Sequence, residues 1–140
     1  MKKKLKRILL IDDDVNTNLY NKIVISQLEI TEEIIVCENG KEAIDYLTNK
    51  QNTSFPQPEM VFLDINMPVM NGWEFLEAYN QLDEDQKAQL IIAMLTSSLN
   101  PDDKTRAQKY GEVKEYISKP LNGELVMKLY HKYFSEDKAT

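Results

Sequence analysis

The sequence predicts an α/β domain in which five parallel strands alternate with five helices. Three observations carry that prediction. Short, continuous apolar runs recur along the chain, as strands covered on both faces require. Helical apolar stripes fall between them. No apolar run approaches the roughly 18 residues of a membrane span.

The first strand is read over residues 7–11, followed by Val15, Leu19, Ile23 and Val24, which form one apolar stripe at helical spacing. The second strand covers residues 34–37, and Ala43, Ile44 and Leu47 mark the second helix. Residues 48–59 are polar, contain Pro56 and Pro58, and read as a long surface loop. The third strand spans 60–63, and Phe75, Leu76 and Tyr79 form the third stripe. The polar segment 82–89 lengthens the link to the fourth strand at 90–95. Asn100-Pro101-Asp102-Asp103 then supplies an N-cap, a proline at the first helical position and acids facing the positive end of the helix dipole. A weaker, partly alternating run at 115–118 is the fifth strand. Asn122 caps a last helix carrying Leu125, Val126, Leu129 and Tyr133, with Glu124 in its first turn. Alternation of this kind implies right-handed crossovers.

The 140 residues suit one domain, with 1–6 a basic lead-in and 135–140 a tail. The basic start resembles that of a signal peptide, but only residues 8–11 are apolar before three aspartates, so the expected compartment is the cytoplasm. A single cysteine, Cys37, gives no support to a disulfide scaffold. The net charge of −6 conceals an asymmetry: residues 2–7 hold five of the 17 bases and no acid. The remainder carries 12 bases against 23 acids, a net of −11, which disfavours nucleic acid as a partner.

In open parallel sheets, sites form beyond the carboxyl ends of the strands. Here those ends carry Asp12-Asp13-Asp14, Asp64, Thr96-Ser97-Ser98 and Lys119-Pro120. Clustered carboxylates repel one another unless a proton or a cation joins them. All-oxygen ligands on a rigid rim suit Mg²⁺. A metal, a lysine and a hydroxyl around one carboxylate can stabilise a phosphoryl group, leaving that carboxylate to act as nucleophile. Any one of these residues alone reads as a cap or a loop residue. Asp14, directly before a helix, is the best fit to a plain N-cap.

The segments Ile8-Leu-Leu-Ile-Asp-Asp-Asp14, Val61-Phe-Leu-Asp-Ile-Asn-Met-Pro68 with Asn71-Gly72, Met94-Leu-Thr-Ser97 and Tyr116-Ile-Ser-Lys-Pro120 together resemble the response-regulator receiver domain of two-component signalling, the family that includes the chemotaxis regulator. The resemblance covers residues 7 to about 134. It implies a flavodoxin-like sheet in the order 2-1-3-4-5 and a phosphorelay role rather than an enzyme's. Asp64 would accept the phosphoryl group from a histidine kinase or phosphotransfer protein. Asp13 would hold Mg²⁺ directly and Asp12 through water, with Asp64 and the backbone carbonyl of Asn66 completing the metal set. Thr96 would be the switch hydroxyl, Tyr116 the aromatic that turns inward, and Lys119 the partner of a phosphate oxygen across a cis Lys-Pro bond. Gly72 resembles the tight turn after the acceptor strand. With no further domain after residue 134, the output would be a protein contact, by a monomer or a phosphorylation-dependent dimer.

Departures are confined to connections. Asp13 and Asp64 lie 51 residues apart, long for the family, and the excess is assigned to 48–59. Asn66, Ser97 and Ser98 occupy variable positions beside the site. Three rival functions have discriminating features. An aspartate-nucleophile phosphatase wants an acid two residues after the nucleophile, where this chain has Asn66. A flavodoxin-like cofactor binder wants a Gly/Ser/Thr-rich turn, where this chain has aspartates. A phosphorylation-independent docking module would keep the fold without using the site. Among lone candidates, His131 reads as a solvent-facing structural residue, Trp73 as a fluorescence reporter near Asp64, and Cys37 as packed and inert.

Overall fold

The computed structural model describes residues 4–87, 91–97 and 100–134. Its elements are β1 (Leu5–Ile11), α1 (Val15–Leu28), β2 (Thr31–Cys37), α2 (Gly40–Leu47), β3 (Met60–Asp64), α3 (Gly72–Asn80), β4 (Ile91–Thr96), α4 (Pro101–Ala107), β5 (Val113–Ser118) and α5 (Gly123–Phe134). A 3₁₀ turn at Glu84–Gln86 lies within the polar link before β4. The five parallel strands take the order β2-β1-β3-β4-β5. The fold class and strand order expected from the sequence are those observed.

Alternation along the central strands sorts the core into two layers. Leu9, Ile11, Val61 and Leu63 face α2 and α3, meeting Leu47, Phe75 and Leu76. Ile8, Leu10, Met60 and Phe62 face α1 and α5, meeting Ile25, Val126, Leu129 and Tyr130. β3 is buried at all five positions, which is why it reads as an unbroken apolar run.

Three expectations are corrected. β1 begins at Leu5, so the basic lead-in is shorter than 1–6; Leu5 is fully buried and its N–H donates to the Ile30 carbonyl at 2.7 Å. β2 and β5 are longer than 34–37 and 115–118 because they are edge strands, whose half-exposed ends carry Thr31, Glu32, Glu33 and Lys114. Most consequential is α1. Its stripe of Val15, Leu19 and Ile23 faces outward, at 64%, 57% and 49% exposure, while Asn18, Asn21 and Ile25 turn inward. A polar contact described below decides that orientation against the hydrophobic pattern. Residue 90 of the fourth-strand reading, Ser98 and the 135–140 tail lie outside the described residues.

The cap signals were read correctly. Asn100 accepts from Asp102 N at 2.9 Å and Asn122 from Leu125 N at 2.8 Å. Asp14 accepts from Asn16 N at 3.1 Å and from the Thr17 hydroxyl at 2.7 Å, and the Thr17 bond followed by the Asn16 bond holds its pKa below the ordinary value.

Candidate functional site

The carboxyl ends of β1, β3, β4 and β5 meet at one rim. Asp12 leaves β1 buried, and all of its oxygens are engaged. Oδ1 accepts from Asp14 N at 2.9 Å, Oδ2 from Lys119 Nζ at 2.8 Å, and the backbone carbonyl from Asn18 Nδ2 at 2.7 Å. This last bond explains α1. An asparagine amide must reach the β1 terminus, so the face carrying Asn18 turns inward and the apolar stripe turns out. Leaving that buried carbonyl unpaired would cost about 1–3 kcal/mol, and Asn18 satisfies it although its own Oδ1 is buried without a partner among the described residues.

Asp64 ends β3 at 8% exposure. Lys119 Nζ lies 3.1 Å from its Oδ1, so a single ammonium bridges Asp12 and Asp64. Burial raises the Asp64 pKa, the Asp12 charge adds to the rise, and Lys119 opposes both. For Lys119, burial alone would lower the pKa; the Asp12 hydrogen bond and the two carboxylate charges more than reverse that, so it is raised. Asp13 is exposed, and carboxylate oxygens of Asp12, Asp13 and Asp64 all lie within 4.8 Å of one another. Three such groups around one point fit a hard divalent cation with water completing its shell.

Thr96 ends β4 almost fully buried, and its carbonyl accepts from Lys119 N at 2.8 Å, fixing the lysine's backbone beside it. The Lys119-Pro120 bond is cis. Tyr116, half-buried on β5, turns inward with its hydroxyl shielded from solvent. Burial raises that phenol, the Thr96 hydroxyl pulls against the rise, and the Asp103 charge adds to it. Asp12, Asp13, Asp64, Thr96, Tyr116 and Lys119 are thus brought to one place, with Asn66 exposed on the loop leaving Asp64.

That loop differs from its sequence reading. Gly72 does not make the turn through a left-handed backbone; Val69 does, at φ 69° and 74% exposure. Met70 N donates to the Pro68 carbonyl at 2.7 Å, closing a three-residue γ-turn of the strained kind around Val69. Gly72 serves a different need, close approach. Its N–H donates to Ile65 O at 2.7 Å, and a Cβ there would lie 2.5 Å from the Asp64 carbonyl oxygen. Asn71 caps α3 in a reciprocal capping box with Glu74. Val69 and Asn18 are the site residues that sequence reasoning missed. The Pro-x-Met-Asn-Gly cluster signals a turn around the first, whereas nothing local marks the second.

Of the lone candidates, His131 faces solvent and Cys37 is packed, as expected. His131 is exposed, with its ring against Tyr130, and Cys37 is buried, its thiol pushed up to about 12 by burial and then by the Glu42 charge. Trp73, directly after Gly72, is buried under the Arg106 guanidinium at 4.4 Å and stacked on Tyr110.

The model of the response regulator receiver domain matches residues 8–131. The chain is 30% identical over 124 residues to chemotaxis protein CheY of Halobacterium salinarum, covering 87% of this chain and 91% of that protein. It is 31% identical over 118 residues to the probable methanogenesis regulatory protein FilR2 of Methanothrix harundinacea, covering 84% and 74%. It spans only 6% of hybrid signal transduction histidine kinase I of Dictyostelium discoideum, to which it is 25% identical over 112 residues. Among solved structures, a two component response regulator from Cytophaga hutchinsonii superposes with a TM-score of 0.82 at 36% identity, over 93% of this chain and 97% of that one. On sequence, topology and the constellation at the strand ends, the chain belongs to the response regulator receiver domain family.

Proposed function

We propose that this chain is a phospho-acceptor in a two-component relay, with Asp64 as the acceptor. The observation that carries the reading is the buried Asp64 carboxylate, held 3.1 Å from a lysine ammonium and within 4.8 Å of two further aspartates. An Asp64 oxygen attacks phosphorus, and the donor's bond to phosphorus breaks. Its electron pair leaves on the donor atom, a histidine nitrogen or the carboxylate oxygen of a small acyl phosphate. Lys119, freed from Asp12 and Asp64 by the new charge, neutralises a phosphoryl oxygen, and the Thr96 hydroxyl donates to another. Asp12, Asp13, Asp64 and the Asn66 carbonyl would hold Mg²⁺, which supplies charge neutralisation when bound. As Thr96 is drawn to the phosphoryl group, the space beside the Tyr116 ring changes, and the surface of α4, β5 and α5 shifts toward a second state that a target protein reads. Moving such an equilibrium from 1:99 to 99:1 takes about 5.5 kcal/mol of differential binding.

The test is acetyl phosphate with Mg²⁺, followed by intact mass and Trp73 fluorescence. Wild type gains an adduct of about 80 Da, the mass of a phosphoryl group, and the Asp64→Asn variant gains none. Saturable Mg²⁺ binding without an adduct from any donor, small or protein, would instead favour a phosphorylation-independent docking module.

The outward face of α1 supports a docking site for the phosphodonor. Val15, Leu19 and Ile23 form an exposed apolar stripe that begins one residue after Asp14, at the rim that holds Asp64. Leu19→Asp is expected to slow transfer from a phosphorylated donor protein by about tenfold, with acetyl phosphate labelling unchanged. Equal loss with both donors would mean damage to the site rather than to docking.

A further inference from the structure

We infer that Asn18, which lies outside every motif at the strand ends, is a positioning residue for Asp13. Its amide grips the peptide unit that aims the Asp13 carboxylate toward Asp12 and Asp64. The inference rests on reading those three aspartates as a metal site, and it names the residue of α1 that keeps the site assembled.

The three acids are held very differently. Asp12 is buried, with Oδ1 on Asp14 N at 2.9 Å and Oδ2 on Lys119 Nζ at 2.8 Å. Asp64 is buried, 3.1 Å from the same ammonium. Asp13 is exposed, and its carboxylate makes no hydrogen bond or ion pair with the described residues. Yet oxygens of all three lie within 4.8 Å of one another. Like charges that close repel, so what keeps Asp13 within reach of the other two is its backbone.

That backbone is tied on both sides of Asp12. The Asp12 N–H donates to the Cys37 carbonyl of β2 at 3.1 Å, and the Asp12 carbonyl accepts from Asn18 Nδ2 at 2.7 Å. This carbonyl belongs to the planar unit that ends in the nitrogen of Asp13. Rotating the unit changes φ of Asp13 and swings its side chain away from the cluster. Asn18 can oppose that rotation because α1 begins at Val15, which brings its first turns back onto the loop; Asn18 N donates to the Asp14 carbonyl at 3.0 Å.

The same residue contributes little to folding. Nδ2 satisfies one buried atom, while Oδ1 is itself buried without a partner among the described residues. Its inward turn also leaves Val15, Leu19 and Ile23 facing solvent. Packing alone would favour an apolar side chain at this place; the amide serves geometry. Asn21 provides the contrast. It is buried on the same face of α1, and its side chain makes no hydrogen bond with the described residues, so no such bond ties it to the acid-bearing loop.

The test is Mn²⁺ binding, read from the electron paramagnetic resonance of the free ion, with urea unfolding alongside. Mn²⁺ takes the same oxygen ligands as Mg²⁺. Asn18→Leu keeps the side-chain size and deletes the donor. It should weaken Mn²⁺ binding by about tenfold, the usual loss for an outer-shell partner, whereas Asn21→Leu should stay within about twofold of wild type. Should Asn18→Leu fail to fold, Asn18→Ala deletes the same donor and is read in its place. In an Asp13→Ala background, Asn18→Leu should weaken binding by no more than about a further twofold, because the residue it positions is gone. Wild-type affinity in Asn18→Leu, equal weakening by Asn21→Leu, or an undiminished loss in the Asp13→Ala background overturns the inference and leaves the metal site standing. A wild type that binds no Mn²⁺ overturns the metal reading, and the inference with it.

Discussion

Lys119→Met is expected to slow phosphorylation of Asp64 by acetyl phosphate by about 10²-fold, the usual loss when one preorganised charge is removed from a developing anion. Methionine keeps the apolar stem and deletes only the ammonium, which lies 2.8 Å from Asp12 and 3.1 Å from Asp64. The same change leaves two buried carboxylates facing each other unpaired, at a cost of about 2 kcal/mol near neutral pH. The pH dependence has a definite sign. Asp64 is already raised by burial and by the Asp12 charge, and Lys119 is what holds it down. Without the lysine its pKa rises further, so the acid limb of the pH–rate profile moves to higher pH, because only the carboxylate attacks. Protonating one carboxylate also relieves the repulsion, so the stability deficit of the variant shrinks as pH falls. Intact-mass kinetics from mildly acidic to neutral pH, with urea unfolding at both ends, measures both effects. An unchanged rate and limb would mean that Lys119 does not act on Asp64.

Gly72→Ala is expected to destabilise the fold by about 3 kcal/mol, the upper part of the range for overpacking. The added Cβ would meet the Asp64 carbonyl oxygen at 2.5 Å and Ile65 Cα at 2.9 Å. Both are backbone atoms at the end of the strand that presents Asp64, so no side chain can swing aside. The strand end must move, and Asp64 with it. Lower urea midpoints should therefore accompany slower labelling. Alanine at Gly111, where no atom lies within 4 Å of the built Cβ, is the matched control and should change neither.

Most of this site was legible because parallel strands covered on both faces cannot hide. Met60-Val-Phe-Leu63 is apolar at each position, and the first polar residue after such a run sits at the rim where ligands bind. That rule places Asp12, Asp64 and Thr96 together, and Lys119 with them, although 107 residues separate Lys119 from Asp12. The edge strands β2 and β5 were only half legible, since exposed edges tolerate Glu32, Glu33 and Lys114. The direction of α1 was illegible for another reason. Val15, Leu19 and Ile23 obey helical periodicity, but the bond from Asn18 to the Asp12 carbonyl turns that stripe to solvent. Periodicity records which residues share a face and says nothing of which face the neighbouring strand end requires. Contacts such as Arg106 over Trp73 arise only once α3 and α4 are packed side by side.

Cys37 has a practical consequence. It closes β2 beside Ile11, its carbonyl accepts from Asp12 N at 3.1 Å, and burial keeps its thiol protonated far above neutral pH. Maleimides and disulfide reagents react with thiolates, so the native chain is silent to them. A cysteine introduced on the surface becomes a single addressable handle for a dye or spin label, with no need to delete the native one. Conversely, slow modification of Cys37 itself times the excursions in which β2 peels from β1, and the same chemistry becomes a stopwatch for breathing of the strand that borders Asp12.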